Sequence, residues 1–275
     1  MSGTLYVVAT PIGNLEDVTL RALRILREAP LIAAEDTRTI RKLLTRHGIP
    51  SPRLLSYTEQ NRAARTPAIL DALRAGDVAL VSEAGMPGIS DPGVHLVQAA
   101  VAAGFTVVPV PGASALTAAL AASGLPARSV RYLGFLPRAA GERRRLLAGL
   151  AAATDTLLAF EAPHRLRQAL LDLRDALGDR RIAVCRELTK LHEEIYRGTI
   201  SEAIEHFTAP RGEFTLVIEG APAGVTAVPD NEIDAALRRL KQRGVLAREA
   251  VREVTAQTGA PRRQVYQRWL AILNE

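Results

Sequence analysis

Short, uniformly apolar runs, separated by stretches with apolar residues at helical spacing, constrain this chain more than any other feature of its sequence. The runs at 5–9, 31–34, 54–57, 78–82 and 106–109 lack the polar alternation of a half-solvated strand. They predict strands buried on both faces, as in a mostly parallel sheet. Between them, 19–29, 61–75 and 93–103 place apolar residues three and four apart, for example Leu20, Leu23 and Leu26. Strand and helix in alternation predict an α/β domain over residues 1–122. After Pro126 the pattern resumes, with strands expected at 132–136, 156–160, 182–185, 195–199 and 214–218. Helices are expected near 142–152, 163–177 and 200–207, so a second α/β domain should occupy 123–222. A Pro/Gly-rich linker, PAGVTAVPD, then leads into a helical C-terminal domain within 223–275. There, 247–258 and 262–273 flank a break at 259–261 like a small helix-turn-helix unit, with Trp269, Leu270 and Leu273 expected in its core.

Composition narrows the class. No apolar run reaches 18 residues, and the first residues lead into a strand without a secretion signature, so no membrane span is expected and the cytoplasm is the expected compartment. One cysteine, Cys185, cannot form an internal disulfide, and no Cys/His cluster has metal-ligand spacing, so no metal is expected. The formal charge of +6 is uneven: between 128 and 149 stand six arginines against Glu142 alone. Such clustering suits a polyanion, or else a solvated helix face.

Three loops should line one edge of the first sheet, where open parallel sheets bind ligands. They are TPIGN (10–14), VSEAGMPGISDPG (81–93) and PGASA (111–115). In the second, Gly85, Gly88 and Gly93 let a ligand approach the main chain, and Pro87 and Pro92 stiffen it. It carries Glu83 and Asp91 but no Lys or Arg, which disfavours a phosphate and favours a neutral or cationic ligand. Ser114 opens a helix, either as a ligand contact or as an N-cap. Two further motifs end strands: AEDTR (34–38) and FEAPHR (160–165). Either Asp36 and Arg38 cap a helix and His164 is a surface residue, or these groups and Arg165 meet in a site.

The motifs LYVVATPIGNLEDVTLRAL, AEDTR, SEAGMPGISDPG, VPGASA, GFLP, FEAPHRL, CRELTK and GEFTLVIEG, in order over about four fifths of the chain, resemble the ribosomal RNA small subunit methyltransferase I family of the tetrapyrrole methylase superfamily. The resemblance implies two α/β domains with S-adenosylmethionine in the cleft between them, and a homodimer. It also implies methyl transfer to the ribose 2′-hydroxyl of a cytidine in small-subunit (16S) ribosomal RNA, naked or in the assembled subunit. Ala162 departs from the serine expected in the family's FEAPHR-like motif. Cofactor contacts implied by the resemblance are Ile12, Gly85, Met86, Ile89, Ser114, Ala115, Phe160, Glu161, Leu188, Phe214 and Thr215.

A ribose hydroxyl is a weak nucleophile, so a base must take its proton. The candidates, in order, are Glu83, Asp36 and His164, with Arg38 and Arg165 holding phosphate or orienting carboxylates. Arg138, Arg143, Arg144, Arg145, Arg262 and Arg263 are the expected RNA contacts. Two other readings compete: a small-molecule, tetrapyrrole-type methylase, and a non-catalytic RNA-binding factor in ribosome assembly.

Overall fold

The three inner strands of the first unit bury residues on both faces of one sheet, and helices cover both. A computed structural model describes residues 3–50, 52–222, 230–260 and 262–273. They form two units, one of 1–122 with 185–194 and one of 123–184 with 195–275. The first holds β1 (Thr4–Val8), α1 (Leu20–Glu28), β2 (Leu31–Ala34), α2 (Thr37–Arg46), β3 (Arg53–Ser56), α3 (Arg62–Ala75), β4 (Val78–Val81), α4 (Val94–Ala102), β5 (Thr106–Val110) and α5 (Ala115–Ser123). All strand pairs are parallel, in the order β3-β2-β4-β1-β5. Ile32 and Ala34 pack with residues of α1 and α2, while Leu31 and Ala33 pack with residues of α3 and α4. Burial on both faces explains the missing polar alternation in β1, β2 and β4, whereas the edge strands β3 and β5 depart from expectation and are largely half-buried or exposed. α1 and α2 start where short polar side chains take orphan N–H groups: Thr19 accepts from Ala22 N–H at 3.1 Å, and Asp36 from Arg38 N–H at 2.7 Å. The Thr19 cap stabilises by about 1 kcal/mol.

The second unit continues with β6 (Val130–Phe135), α6 (Ala140–Ala148), β7 (Thr156–Glu161), α7 (Pro163–Leu177), β8 (Arg181–Arg186), β9 (Glu194–Thr199), α8 (Ile200–His206) and β10 (Phe214–Ile218). Its sheet runs β6-β7-β10-β8-β9, with β6 and β7 parallel and β7 and β10 antiparallel. Pro163 begins α7, a position that needs no N–H. Of the expected linker at 222–230, residues 223–229 lie outside the described residues and Asp230 already belongs to a helix. Beyond it α9 (Asp230–Gln242), α10 (Ala247–Thr258) and α11 (Arg262–Leu273) share a core of Leu237, Val251, Val254, Val265 and Trp269. Leu270 and Leu273 depart from expectation: both are exposed, and Ile272 fills the core in their place. No helix among the described residues is long and apolar enough to cross a membrane.

Candidate active site

Parallel pairing decides where the first unit's chemistry gathers. Because β1 lies between β4 and β5, the loops leaving the three strands are neighbours. Thr10 N–H donates to Gly85 O at 2.9 Å and Gly85 N–H returns to Thr10 O at 3.0 Å, which joins the first loop to the second. Gly85 sits at φ +75°, and a methyl there would lie 3.5 Å from Ile12 Cγ2 and 3.7 Å from Ala113 O. All three loops therefore meet at this glycine. Ile12, Met86, Ser114 and Ala115 are half-buried around it and Ile89 is exposed.

Leu188 joins this unit from far along the chain. Asn14 N–H donates to Thr189 Oγ1 at 3.0 Å, and a methyl on Gly13 would stand 2.5 Å from Lys190 Cγ and 2.7 Å from Thr189 Oγ1. Glu187 and Thr189, at φ +49° and +66°, turn that loop through the left-handed region.

Carboxylates crowd the same edge. Glu83 is exposed, and its N–H donates to Glu35 Oε2 at 3.3 Å. Burial, aided by repulsion from Glu83, Asp36 and Glu59, raises the Glu35 carboxyl above its ordinary range. Burial and then the Glu35 charge push Asp91 up to about 7, with Glu83 adding to the shift and a hydrogen bond to Ser82 opposing it. A cationic ligand would relieve this concentration of negative charge.

Asp36 is a different kind of group. It caps α2 and holds Arg38 through its two oxygens, with Nη2 to Oδ2 at 2.9 Å, and these bonds lower its carboxyl to about 2. A carboxylate so acidic is a poor base near neutrality. The capping alternative describes the pair, with Asp36 on the α2 cap and Arg38 lying against it at the surface.

In the second unit, pairing of Phe214 with Glu161 and of Thr215 with Phe160 brings four of the expected contacts to one strand end. Here the structure corrects an expectation: Glu161 is 1% exposed and faces inward. Ala162 N–H donates to its Oε1 at 2.8 Å and Arg165 Nη2 to its Oε2 at 3.2 Å, so it braces Arg165. Phe214 and Thr215 are also buried. Arg165 turns Nη2 to Glu161 and to the carbonyls of Leu136 and Pro137, which gives it a positioning role on the loop after β6. His164 is exposed in the first turn of α7.

Arg143 requires a further correction. Its side chain is buried against Asp172, whose second oxygen takes Arg144 Nε at 3.0 Å, so Arg143 cannot reach a polyanion. Arg138, Arg144, Arg145 and Arg262 are exposed, and the side chain of Arg263 lies outside the described residues. Among the described residues no group of three His, Cys, Asp or Glu is placed to hold a metal ion. Sequence reasoning did not select Glu35, Asp91, Thr189, Tyr132 or Phe135. Glu35 and Asp91 stood in view as strand-end carboxylates, whereas Thr189 meets Asn14 across a separation no local pattern signals.

Residues 4–204 match the Tetrapyrrole (Corrin/Porphyrin) Methylases, which sets the class of the chain. The tail, 227–273, matches the RsmI C-terminal HTH domain. Ribosomal RNA small subunit methyltransferase I of Halalkalibacterium halodurans is 45% identical over 96% of this chain and 93% of its own length. The protein of that name from Synechocystis is 47% identical, with 96% of each chain covered. The chain belongs to the ribosomal RNA small subunit methyltransferase I family. Among solved structures, uroporphyrin-III C-methyl transferase from Thermus thermophilus, complexed with S-adenyl homocysteine, shares the fold at a TM-score of 0.56 and 23% identity, over 79% of this chain and 97% of that one.

Proposed function

We propose that this chain is an S-adenosylmethionine-dependent methyltransferase acting on the ribose 2′-hydroxyl of a cytidine in small-subunit ribosomal RNA. The observation that carries the reading is 45–47% identity over 96% of the chain to proteins named for that RNA. The first unit's loops fit the cofactor by chemistry: carboxylates and carbonyls without Lys or Arg between 82 and 93, and a glycine where three loops converge. Ile12, Gly85, Met86, Ile89, Ser114, Ala115 and Leu188 would hold it there.

S-adenosylmethionine supplies an electrophilic methyl group on a positively charged sulfur. The chain's own residues must align the ribose oxygen with that methyl and accept its proton, and alignment alone can supply on the order of 7 kcal/mol of the barrier. Glu83, exposed beside the convergent loops, is the first candidate for the base, and His164 follows it. Asp36 comes last because its proton affinity is too low. Arg38 and Arg165 act through neighbouring groups, the first on the α2 cap and the second on Glu161 and the loop after β6.

Transfer of labelled methyl to small subunits, naked ribosomal RNA and a porphyrinoid tests the reading. Label in the RNA at a ribose 2′-oxygen is expected. Label in the porphyrinoid alone would overturn it in favour of a small-molecule methylase, and absence of cofactor binding by calorimetry would point to an assembly factor.

A further inference from the structure

Three aromatic rings meet where β6 and β7 end together. The Phe160 ring lies 5.6 Å from that of Tyr132 at an interplanar angle of 74°, and 5.5 Å from that of Phe135 at 56°. Phe160 is half-buried beneath, while Phe135 is 55% and Tyr132 37% exposed. Two aromatic rings packed on a third and held partly outside the core, on a strand at the sheet's edge, offer their faces to another molecule.

The mounting of this surface is rigid. Arg165 donates to the carbonyls of Leu136 and Pro137, and Arg143 Nη1 donates to those of Pro137 at 3.1 Å and Arg138 at 3.4 Å. A buried carboxylate anchors each guanidinium, Glu161 for Arg165 and Asp172 for Arg143. Two buried ion pairs thus clamp the backbone that follows Phe135 and fix where the exposed Arg138 emerges.

The charge around the rings selects the occupant. Arg138 is exposed three residues beyond Phe135 and supplies the positive charge there, whereas Arg131 pairs with Asp155 and Arg144 with Asp172. An unpaired nucleobase offers a π-face for the rings and a phosphate for Arg138, and aromatic platforms beside basic grooves are how proteins take up single-stranded nucleic acid. We propose that Tyr132 and Phe135, braced by Phe160, form a stacking platform for an unpaired base of the RNA substrate, with Arg138 meeting an adjacent phosphate. This rests on the RNA methyltransferase reading and names a substrate-binding surface for it.

The test uses the full chain and a single-stranded oligoribonucleotide carrying 2-aminopurine, beside the same strand made abasic at that position. Wild type should quench the fluorophore. Phe135→Ala with Tyr132→Ala should abolish the quench and weaken binding about tenfold or more, with S-adenosylmethionine affinity unchanged and cooperative thermal unfolding retained. Phe135→Leu, which keeps apolar area without a π-face, should behave like the alanine variant, and Phe135→Trp should bind like wild type. On the abasic strand, variants and wild type should converge. Equal affinity of wild type and the double variant would overturn the platform, as would wild-type binding by Phe135→Leu. An altered sedimentation coefficient in the double variant with RNA binding intact would also overturn it, and would assign the face to a second copy of the chain. Wild type that labels ribosomal RNA while the double variant fails only in these binding assays supports the platform. Wild type that labels no RNA removes the parent reading, and the platform with it.

Discussion

Arg143 Nη2 lies 2.6 Å from Asp172 Oδ2, with the two side chains 4% and 2% exposed. Removing one partner of such a pair strands the other charge in the interior, which costs about 3–5 kcal/mol. Arg143→Ala and Asp172→Ala should each lower the urea midpoint sharply, while Arg145→Ala, on the exposed face of α6, should change stability by no more than about 0.5 kcal/mol. Replacing both partners by leucine or methionine should recover most of the loss. Urea unfolding of the variants checks all of this, and equal small effects at 143 and 145 would contradict the buried pair.

RNA affinity should follow the exposed arginines. Every phosphate that an arginine no longer neutralises reduces the slope of log affinity against log salt by about 1. Arg138→Ala and Arg145→Ala should flatten that slope and leave cofactor affinity unchanged. Filter binding of ribosomal RNA across a salt series would show it, and an unchanged slope in the double variant would take these residues out of the interface.

Asp36 and Glu83 should separate cleanly. Asp36→Ala loses the α2 cap and some stability, yet keeps the single-turnover methyl-transfer rate once corrected for folded protein. Glu83→Gln should lose about 100-fold or more of that rate with little change in stability. The opposite pattern would return Asp36 to the chemistry and remove Glu83.

Asp91 makes stability and ligand binding depend on pH. Its carboxyl titrates near 7 in the fold against 3.8 ordinarily, so the folded state binds its proton more tightly than the unfolded chain. The resulting penalty is absent below about pH 4, grows as pH rises through the interval, and is complete above about 7. Asp91→Asn should therefore be more stable than wild type at pH 8 by on the order of 1 kcal/mol, after solvent screening, and should match it at pH 4. A cationic cofactor favours the ionised carboxyl, so S-adenosylmethionine should bind wild type more tightly as pH rises from 6 to 8. Its demethylated product, which lacks the sulfonium charge, should not. Thermal melts and calorimetry at both ends of the range decide, and identical pH profiles for wild type and Asp91→Asn would exclude the effect.

Alternation of strand and helix was plain in the residues because both faces of the first sheet are covered, which leaves Leu31–Ala34 and Val78–Val81 buried throughout. α2 was less legible, since TRTIRKLLTR begins inside a motif whose carboxylate and guanidinium suggest a site as readily as a cap. The convergence of TPIGN, SEAGMPGISDPG and PGASA could be read from strand ends alone, because strand order brings the three together. Burial could not. Nothing in GERRRLL says that Arg143 turns inward to Asp172 while Arg144 and Arg145 turn outward, and nothing in FEAPHR says that Glu161 faces Arg165. Side-chain partners across the fold, such as Asn14 with Thr189, leave no local periodicity to detect.

The seating of Thr189 and Lys190 against Asn14 and Gly13 has a bearing on how the chain is made. A nascent polypeptide that has emerged through α5 already holds all five strands of the first sheet, yet lacks the wall that residues 185–194 supply. The first unit can assemble its sheet early during synthesis but closes its loop edge only after β8 has left the ribosome, so its maturation is timed by the second unit.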